Sequence, residues 1–333
     1  MGKHYQGFFV GSAIALVFVL AIPALSVAAM TKVTVRDSWT PNAFQVGWYY
    51  GIAKGWFAAK GIEIDHEDGN GSTTTVPLVA TKKFDIGWGD LSTMAIGRGK
   101  GMKVISVMGL LRKTQLGILV PVNSGINTPK DLEGKTVLYT ATSVEGPYLD
   151  AFFKAGGTSR DKVNLVSVDA TAKISAYAAG QGMGVATTIP FGLPLVNPTR
   201  PSKGIEFATY GFVLPGYGMY VHEDTVKEKP EIVGKVVQVM IQAWNEIIKP
   251  GGAEEAADIM IKQRPDAKLD RAQAIDQIKE HIPYLYTEAT KGKSLGWQAL
   301  ADWTKTVANL ESAGLIPPGS KPTDYFTNQF IAQ

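Results

Sequence analysis

The sequence predicts an α/β protein of two lobes, each a mainly parallel sheet flanked by helices, with a two-strand hinge between them. Short β-branched runs alternate with helical apolar patterns through the first two thirds of the chain, the signature of parallel sheets built from crossover units. That alternation is interrupted at 116–121, restarts at 127–134, and is interrupted again by a stretch rich in Gly and aromatic residues at 211–220. The chain has 333 residues, of which roughly 305 remain once an N-terminal leader is set aside, enough for two cores.

Residues 33–35 are a β-branched strand, Ser38-Trp39-Thr40-Pro41-Asn42 is turn chemistry, 44–60 carries a helical apolar pattern ending at Gly61, and 62–65 is a second strand. A Gly69-Asn70-Gly71-Ser72 turn opens a helix to about Lys82, followed by a strand at 84–88, a helix at 91–97 and a strand at 104–110. Residues 116–121 are the first crossing strand. The second lobe then uses strands at 136–139, 163–168 and 184–188, with helices at 146–155 and 172–179. From Asp224 onward the chain reads as amphipathic helices at 231–249, 253–262, 271–281 and 297–313. The expected organisation is a leader at 1–29, the first lobe at 30–117, the second at 118–213, and a return to the first lobe with its C-terminal helices at 214–333.

Lys3 and His4 precede an apolar run from Phe8 to Leu25, and Ser26-Val27-Ala28 or Val27-Ala28-Ala29 fits a signal-peptidase site. A cleaved signal peptide is expected, with the mature chain starting near Ala29 or Met30; an uncleaved anchor is the other reading. The chain has no cysteine, which excludes a lipid tether through an N-terminal Cys, disulfides and thiolate chemistry. An export signal without a lipid anchor predicts a periplasmic protein. Loss of Lys3 takes 33 basic residues to 32, against 30 acids, and this balance provides no footprint for nucleic acid.

Signatures of catalysis are missing. There is no metal-ligand spacing, no G-x-S-x-G elbow and no phosphate loop, so neither a cofactor nor a metal is expected. His4, His66, His222 and His281 are dispersed and read as surface or helix-end residues.

Trp39-Thr40-Pro41-Asn42, the helix at 51–62, Phe84-Asp85-Ile86-Gly87 and the segment 124–135 resemble the solute-binding proteins of ABC importers, in the group related to the alkanesulfonate, taurine and thiamine-pyrimidine receptors. The resemblance covers nearly all of the chain after about residue 31. It implies a type II periplasmic-binding-protein fold and a monomer that captures a small solute between its lobes and hands it to an importer permease. It implies binding without turnover, with an enzyme on the same fold, such as a pyrimidine-precursor synthase, as the alternative. The related branch that makes the thiamine pyrimidine depends on cysteine-bearing sites, and this chain has none.

Ligands in such sheets sit beyond the carboxyl ends of the strands, which selects the candidate site residues. Trp39 offers the largest stacking face after the first strand, with lobe packing as its other reading. Asn42 and Gln45 bracket the first helix start, Asn42 as cap or contact. Ser72 and Thr73 open the second helix, where free N–H groups could hold a polar atom or be capped. Asp90 is an N-cap first and a ligand acceptor second. In the second lobe, the hydroxyl-rich turn Thr142-Ser143-Val144-Glu145-Gly146 contains a carboxylate, which argues against a sulfonate. Thr188, Phe191 and Tyr217 complete the set, the two rings being equally suited to core or hinge packing. The Trp-Thr-Pro-Asn start is closer to the thiamine-pyrimidine receptors, so a nitrogen-containing aromatic ring is the expected ligand, and a sulfonate or taurine the alternative.

Overall fold

The computed structural model describes residues 1–4, 7 and 30–332. The expected signal peptide and its cleavage site fall largely outside the described residues. Among those described, no helix is long and apolar enough to cross a membrane.

Two five-stranded sheets form the framework. The first contains β1 (Thr31–Asp37), β2 (Ile62–Glu67), β3 (Ile86–Asp90), β4 (Val104–Gly109) and β10 (Tyr217–His222), in the order β2-β1-β3-β10-β4. The second contains β5 (Leu116–Pro121), β6 (Thr136–Tyr139), β7 (Asn164–Ser167), β8 (Gly184–Thr188) and β9 (Ser202–Glu206), in the order β7-β6-β8-β5-β9. Four strands of each sheet run one way, and the fifth, β10 or β5, pairs antiparallel with both neighbours. The sheets are therefore mixed, and the reversed strand in each is the first one laid down after the chain crosses between lobes. The two crossings lie side by side: Leu110 and Leu111 donate from their N–H groups to the Tyr217 carbonyl, and Gly216 N donates to Leu111 O at 2.9 Å.

Helices α1 (Val46–Ala53), α2 (Trp56–Ala59), α3 (Ser72–Ala80) and α4 (Leu91–Gly99) cover the first sheet, while α5 (Leu149–Ala155), α6 (Lys173–Ala178) and α7 (Ile189–Val196) cover the second. The C-terminal α8 (Glu223–Glu228), α9 (Pro230–Ile247), α10 (Gly252–Gln263), α11 (Arg271–His281) and α12 (Leu300–Ser312) return to the first lobe. One core joins α1 to α9 and α10 through Trp48, Phe57, Val239, Met240 and Trp244; a second runs through the hinge region and includes Leu91, Ile118, Tyr148, Phe152 and Trp303. Two of the four histidines, His222 and His281, are buried, and His66 is partly buried. His66 pairs with Asp37 beneath the β1 end, His222 caps α8, and His281 at the α11 end is fully enclosed.

Several boundaries differ from the sequence expectation for identifiable reasons. The helix expected at 44–60 is a 3-10 turn (Ala43–Gln45) followed by α1 and α2, broken where Gly55 adopts φ +70°. The strand expected at 84–88 begins two residues later, because Asp85 accepts from both the N–H and the hydroxyl of Thr34. The helix expected from 297 begins at Leu300, since Gln298 N donates to the Asn328 side chain instead. Helix α7 and strand β9 were absent from the expectation altogether. Pro190, Gly192 and Pro194 read as breakers, yet Pro190 sits in the first helical turn, where its missing N–H costs no bond.

Candidate functional site

The carboxyl ends of both sheets face each other across a closed cleft with a free volume of only about 20 Å³, walled by Trp39, Asn42, Phe44, Ser72 and Tyr217 from the first lobe and by Ser143, Val144, Glu145, Lys173, Thr187, Thr188 and Phe191 from the second. Each wall follows from the local chemistry of its loops.

On the first-lobe side, the loop after β1 is held by its own polar groups. Asn42 Oδ1 accepts from Phe44 N at 2.8 Å and its amide donates to Thr40 O at 2.7 Å. Gln45 donates to the carbonyls of Trp39 and Thr40, and Gly69 N donates to Trp39 O at 3.0 Å. This fixes the backbone of Trp39 from two directions while its indole Nε1, buried, makes no bond. Phe44 is clamped behind it: its carbonyl accepts from Trp88 Nε1 at 2.8 Å, and its ring stacks on Tyr217 at 4.1 Å and meets His281 edge-on. Ser38 donates to the Tyr217 hydroxyl at 3.2 Å.

The second-lobe side is organised around one ion pair. Lys173 Nζ lies 3.5 Å from Glu145 Oε1, both side chains almost fully enclosed. At that distance attraction is about 5 kcal/mol for an effective dielectric near 20, comparable with the several kcal/mol it costs to desolvate each ion. Burial draws the Lys173 ammonium below the ordinary lysine value and Glu145 opposes that shift. Attraction and desolvation thus offset, so the contact contributes little net stability while placing one basic and one acidic group side by side on this wall. Glu145 Oε2 has no hydrogen-bond partner. Thr188 precedes α7 without its hydroxyl accepting a capping bond from the helix N–H groups. The ammonium of Lys173 also crosses the cleft, 4.9 Å from the centroid of Trp39, and Phe191 meets Trp39 edge-on at 6.4 Å.

The lobes touch at both margins of this cleft. Thr73 donates to Thr142 O at 2.8 Å and Thr142 donates to Asn70 O at 2.7 Å. At the other margin Gln277 of α11 donates to Phe191 O at 2.9 Å. Gly71, at φ +147°, makes the first margin possible, because a Cβ there would lie 2.1 Å from Thr142 O.

Of the residues expected at the site, Trp39, Asn42, Ser72, Glu145, Thr188, Phe191 and Tyr217 line the cleft. Gln45 does not; both ends of its amide hold the Trp39 loop. Thr73 belongs to the lobe margin. Asp90 lies behind the wall as the α4 cap, accepting from Ser92, Thr93 N and the Thr93 hydroxyl on one oxygen, and burial pushes its carboxyl up to about 7. The sequence reading missed Phe44, Ser143, Val144, Thr187 and, most consequentially, Lys173. The signal for Lys173 was present: it is the only charged residue between Asp169 and Arg200, and it opens a helix directly after a strand of the second sheet. The carboxylate of Glu145 is consequently not the isolated charge the sequence suggested. No group of three or more metal-ligating side chains occurs among the described residues.

The chain is 25% identical over 312 residues to the riboflavin-binding protein RibY of Chloroflexus aurantiacus, spanning 91% of this chain and 86% of that one. It is 22% identical to a formylaminopyrimidine-binding protein of Halalkalibacterium halodurans (85% of this chain, 86% of the relative) and 23% identical to a 4-amino-5-hydroxymethyl-2-methylpyrimidine phosphate synthase of Schizosaccharomyces pombe (87% and 84%). Among solved structures, the alkanesulfonate-binding protein SsuA of Xanthomonas axonopodis pv. citri, bound to MOPS, superposes with a TM-score of 0.70 at 14% identity, over 90% of this chain and 100% of that one. That likeness establishes the two-lobed periplasmic-binding-protein fold. A family model described as NMT1/THI5 like matches residues 42–253, more than half of the chain, and the protein belongs to that family.

Proposed function

We propose that this protein is the substrate-binding component of an ABC importer, exported to the periplasm, and that it captures a neutral nitrogen-containing aromatic solute between its lobes for delivery to a permease. The observation that carries this reading is the cleft itself: aromatic walls from Trp39, Phe44, Phe191 and Tyr217, with one unpartnered donor at Trp39 Nε1 and one unpartnered acceptor at Glu145 Oε2. A flat ring with an N–H edge and a ring-nitrogen or carbonyl edge satisfies both while stacking on the rings. Mostly apolar walls with a few polar groups that fix orientation are what small-molecule sites require. The binding named for two relatives, a flavin and an aminopyrimidine, falls in the same chemical class. Trp39, Ser72, Glu145, Thr188, Phe191 and Tyr217 are the proposed contacts, with Asn42 and Gln45 holding the Trp39 loop.

An enzyme on the same fold is the competing reading, favoured by the synthase among the relatives. The lack of any cysteine weighs against it. Mass spectrometry of the molecule released by gentle denaturation of the purified protein tests the reading. A neutral ring containing nitrogen supports it, and an alkanesulfonate overturns the ligand assignment.

A further inference from the structure

Lys173 Nζ has two neighbours of consequence, the Glu145 carboxylate at 3.5 Å and the face of Trp39 at 4.9 Å. It is carried by α6 of the second lobe, whereas Trp39 belongs to the first, so the ammonium covers the indole only when the cleft is closed. Its side chain is 1% exposed and Glu145 is 2% exposed, so neither charge is relieved by solvent in this arrangement. As the cleft closes, a flat molecule on the Trp39 face competes with this ammonium for the platform, beside a carboxylate with one oxygen still free.

We propose that Lys173 is the charge-specificity residue of the cleft: it cancels Glu145 and covers the Trp39 face, so that a neutral ring is accepted and rings of either charge are discriminated against. A neutral ring needs only to displace the ammonium from the indole, which leaves the Lys173–Glu145 pair intact. A cationic ring must approach Lys173 in an enclosed space, and an anionic ring must approach Glu145. Each charged ring therefore requires the buried pair to be pulled apart. The inference rests on the ring-binding reading above and adds what that reading leaves open, namely which residue sets the ligand's charge. A merely structural Lys173, tying the lobes together, would alter affinity for all rings equally.

The test uses three molecules that share one ring and differ in charge: nicotinamide (neutral), 1-methylnicotinamide (cationic) and nicotinate (anionic). Binding is measured by equilibrium dialysis at millimolar ligand. In the unaltered protein nicotinamide should bind at least about tenfold more tightly than either charged ring, a difference of about 1.4 kcal/mol. Lys173→Met should bring 1-methylnicotinamide level with or above nicotinamide, Glu145→Gln should do the same for nicotinate, and the double variant should put nicotinamide first again. If a single variant fails to fold, the unaltered protein and the double variant, which leaves no buried charge unpaired, still decide. Equal binding of all three rings to the unaltered protein, or one unchanged order in every protein, overturns the role of Lys173 while the ring-binding reading stands. No measurable binding of any ring to any of the proteins overturns that reading and this inference with it.

Discussion

The first-lobe wall of the cleft is fixed chiefly through bonds to the backbone of its own loops, whereas on the second-lobe wall the buried Lys173 and Glu145 face the gap. Trp39 is secured through Gln45 and Gly69, Phe44 through Asn42 and Trp88, and Tyr217 through Ser38. Opposite them, Lys173 and Glu145 have chiefly one another, and Glu145 Oε2 has nothing. One lobe thus presents a preorganised aromatic platform. The other presents an acidic and a basic group with few other partners, to which the proposal above assigns chemical selection.

The largest expected effect comes from preventing the two walls from meeting. Gly71→Ala sets a Cβ against Thr142 O and leaves an L side chain at φ +147°, so the variant should remain open. Small-angle scattering should find no ligand-induced fall in radius of gyration, and affinity should drop by about tenfold or more, which is about 1.4 kcal/mol or more. Compaction with ligand equal to that of the unaltered protein would contradict the contact.

Two buried titratable groups behind the platform sharpen the comparison through pH. Burial raises Asp90 to about 7, so its contribution to stability is fully present below about 4 and is lost as pH rises to about 7. Burial lowers His281 to about 3, so its contribution is present above about 6.5 and is lost as pH falls toward 3. Between about pH 4 and 6.5 the two slopes oppose, each at most about 1.4 kcal/mol per pH unit. Denaturant unfolding of the unaltered protein should accordingly vary little there. Asp90→Asn should expose a loss of stability on acidification, and His281→Phe a gain; parallel profiles for all three proteins would reject the assignment.

Trp39→Ala should cost about 1–3 kcal/mol of binding, from lost stacking and buried area, with little change in unfolding free energy because the loop bonds reach its carbonyl and not its ring. A fall in melting temperature with affinity preserved would make Trp39 a packing residue. Asn42→Ala should cost about 1 kcal/mol of stability through the lost cap, and a smaller loss of affinity as Phe44 loosens. Calorimetric titration and thermal melting of both variants separate platform from support.

What could be read from the sequence follows the same division. The strands and the strand-end turns were legible because β-branched runs and Gly-Asn-Gly-Ser or Trp-Thr-Pro-Asn turns act locally. Helix α7 was hidden because Pro190 and Pro194 read locally as breakers, while tertiary packing of Ile189 and Val196 holds them in a helix. The pairing of Lys173 was hidden because its partners are 28 and 134 positions away in the chain, at Glu145 and Trp39, and contacts between such distant positions leave no periodic trace. Glu145 alone suggested a site hostile to anions; paired with Lys173, it belongs to a neutral one.

The central claim is reversible capture of a neutral ring by a closing cleft, and calorimetry on the molecule released from the purified protein tests it most directly. Returned to the emptied protein, that molecule should bind at one site per chain, weaken with Trp39→Ala, and be recovered chemically unchanged after prolonged incubation. Conversion of the molecule in proportion to protein concentration and time would contradict the account and make the protein an enzyme.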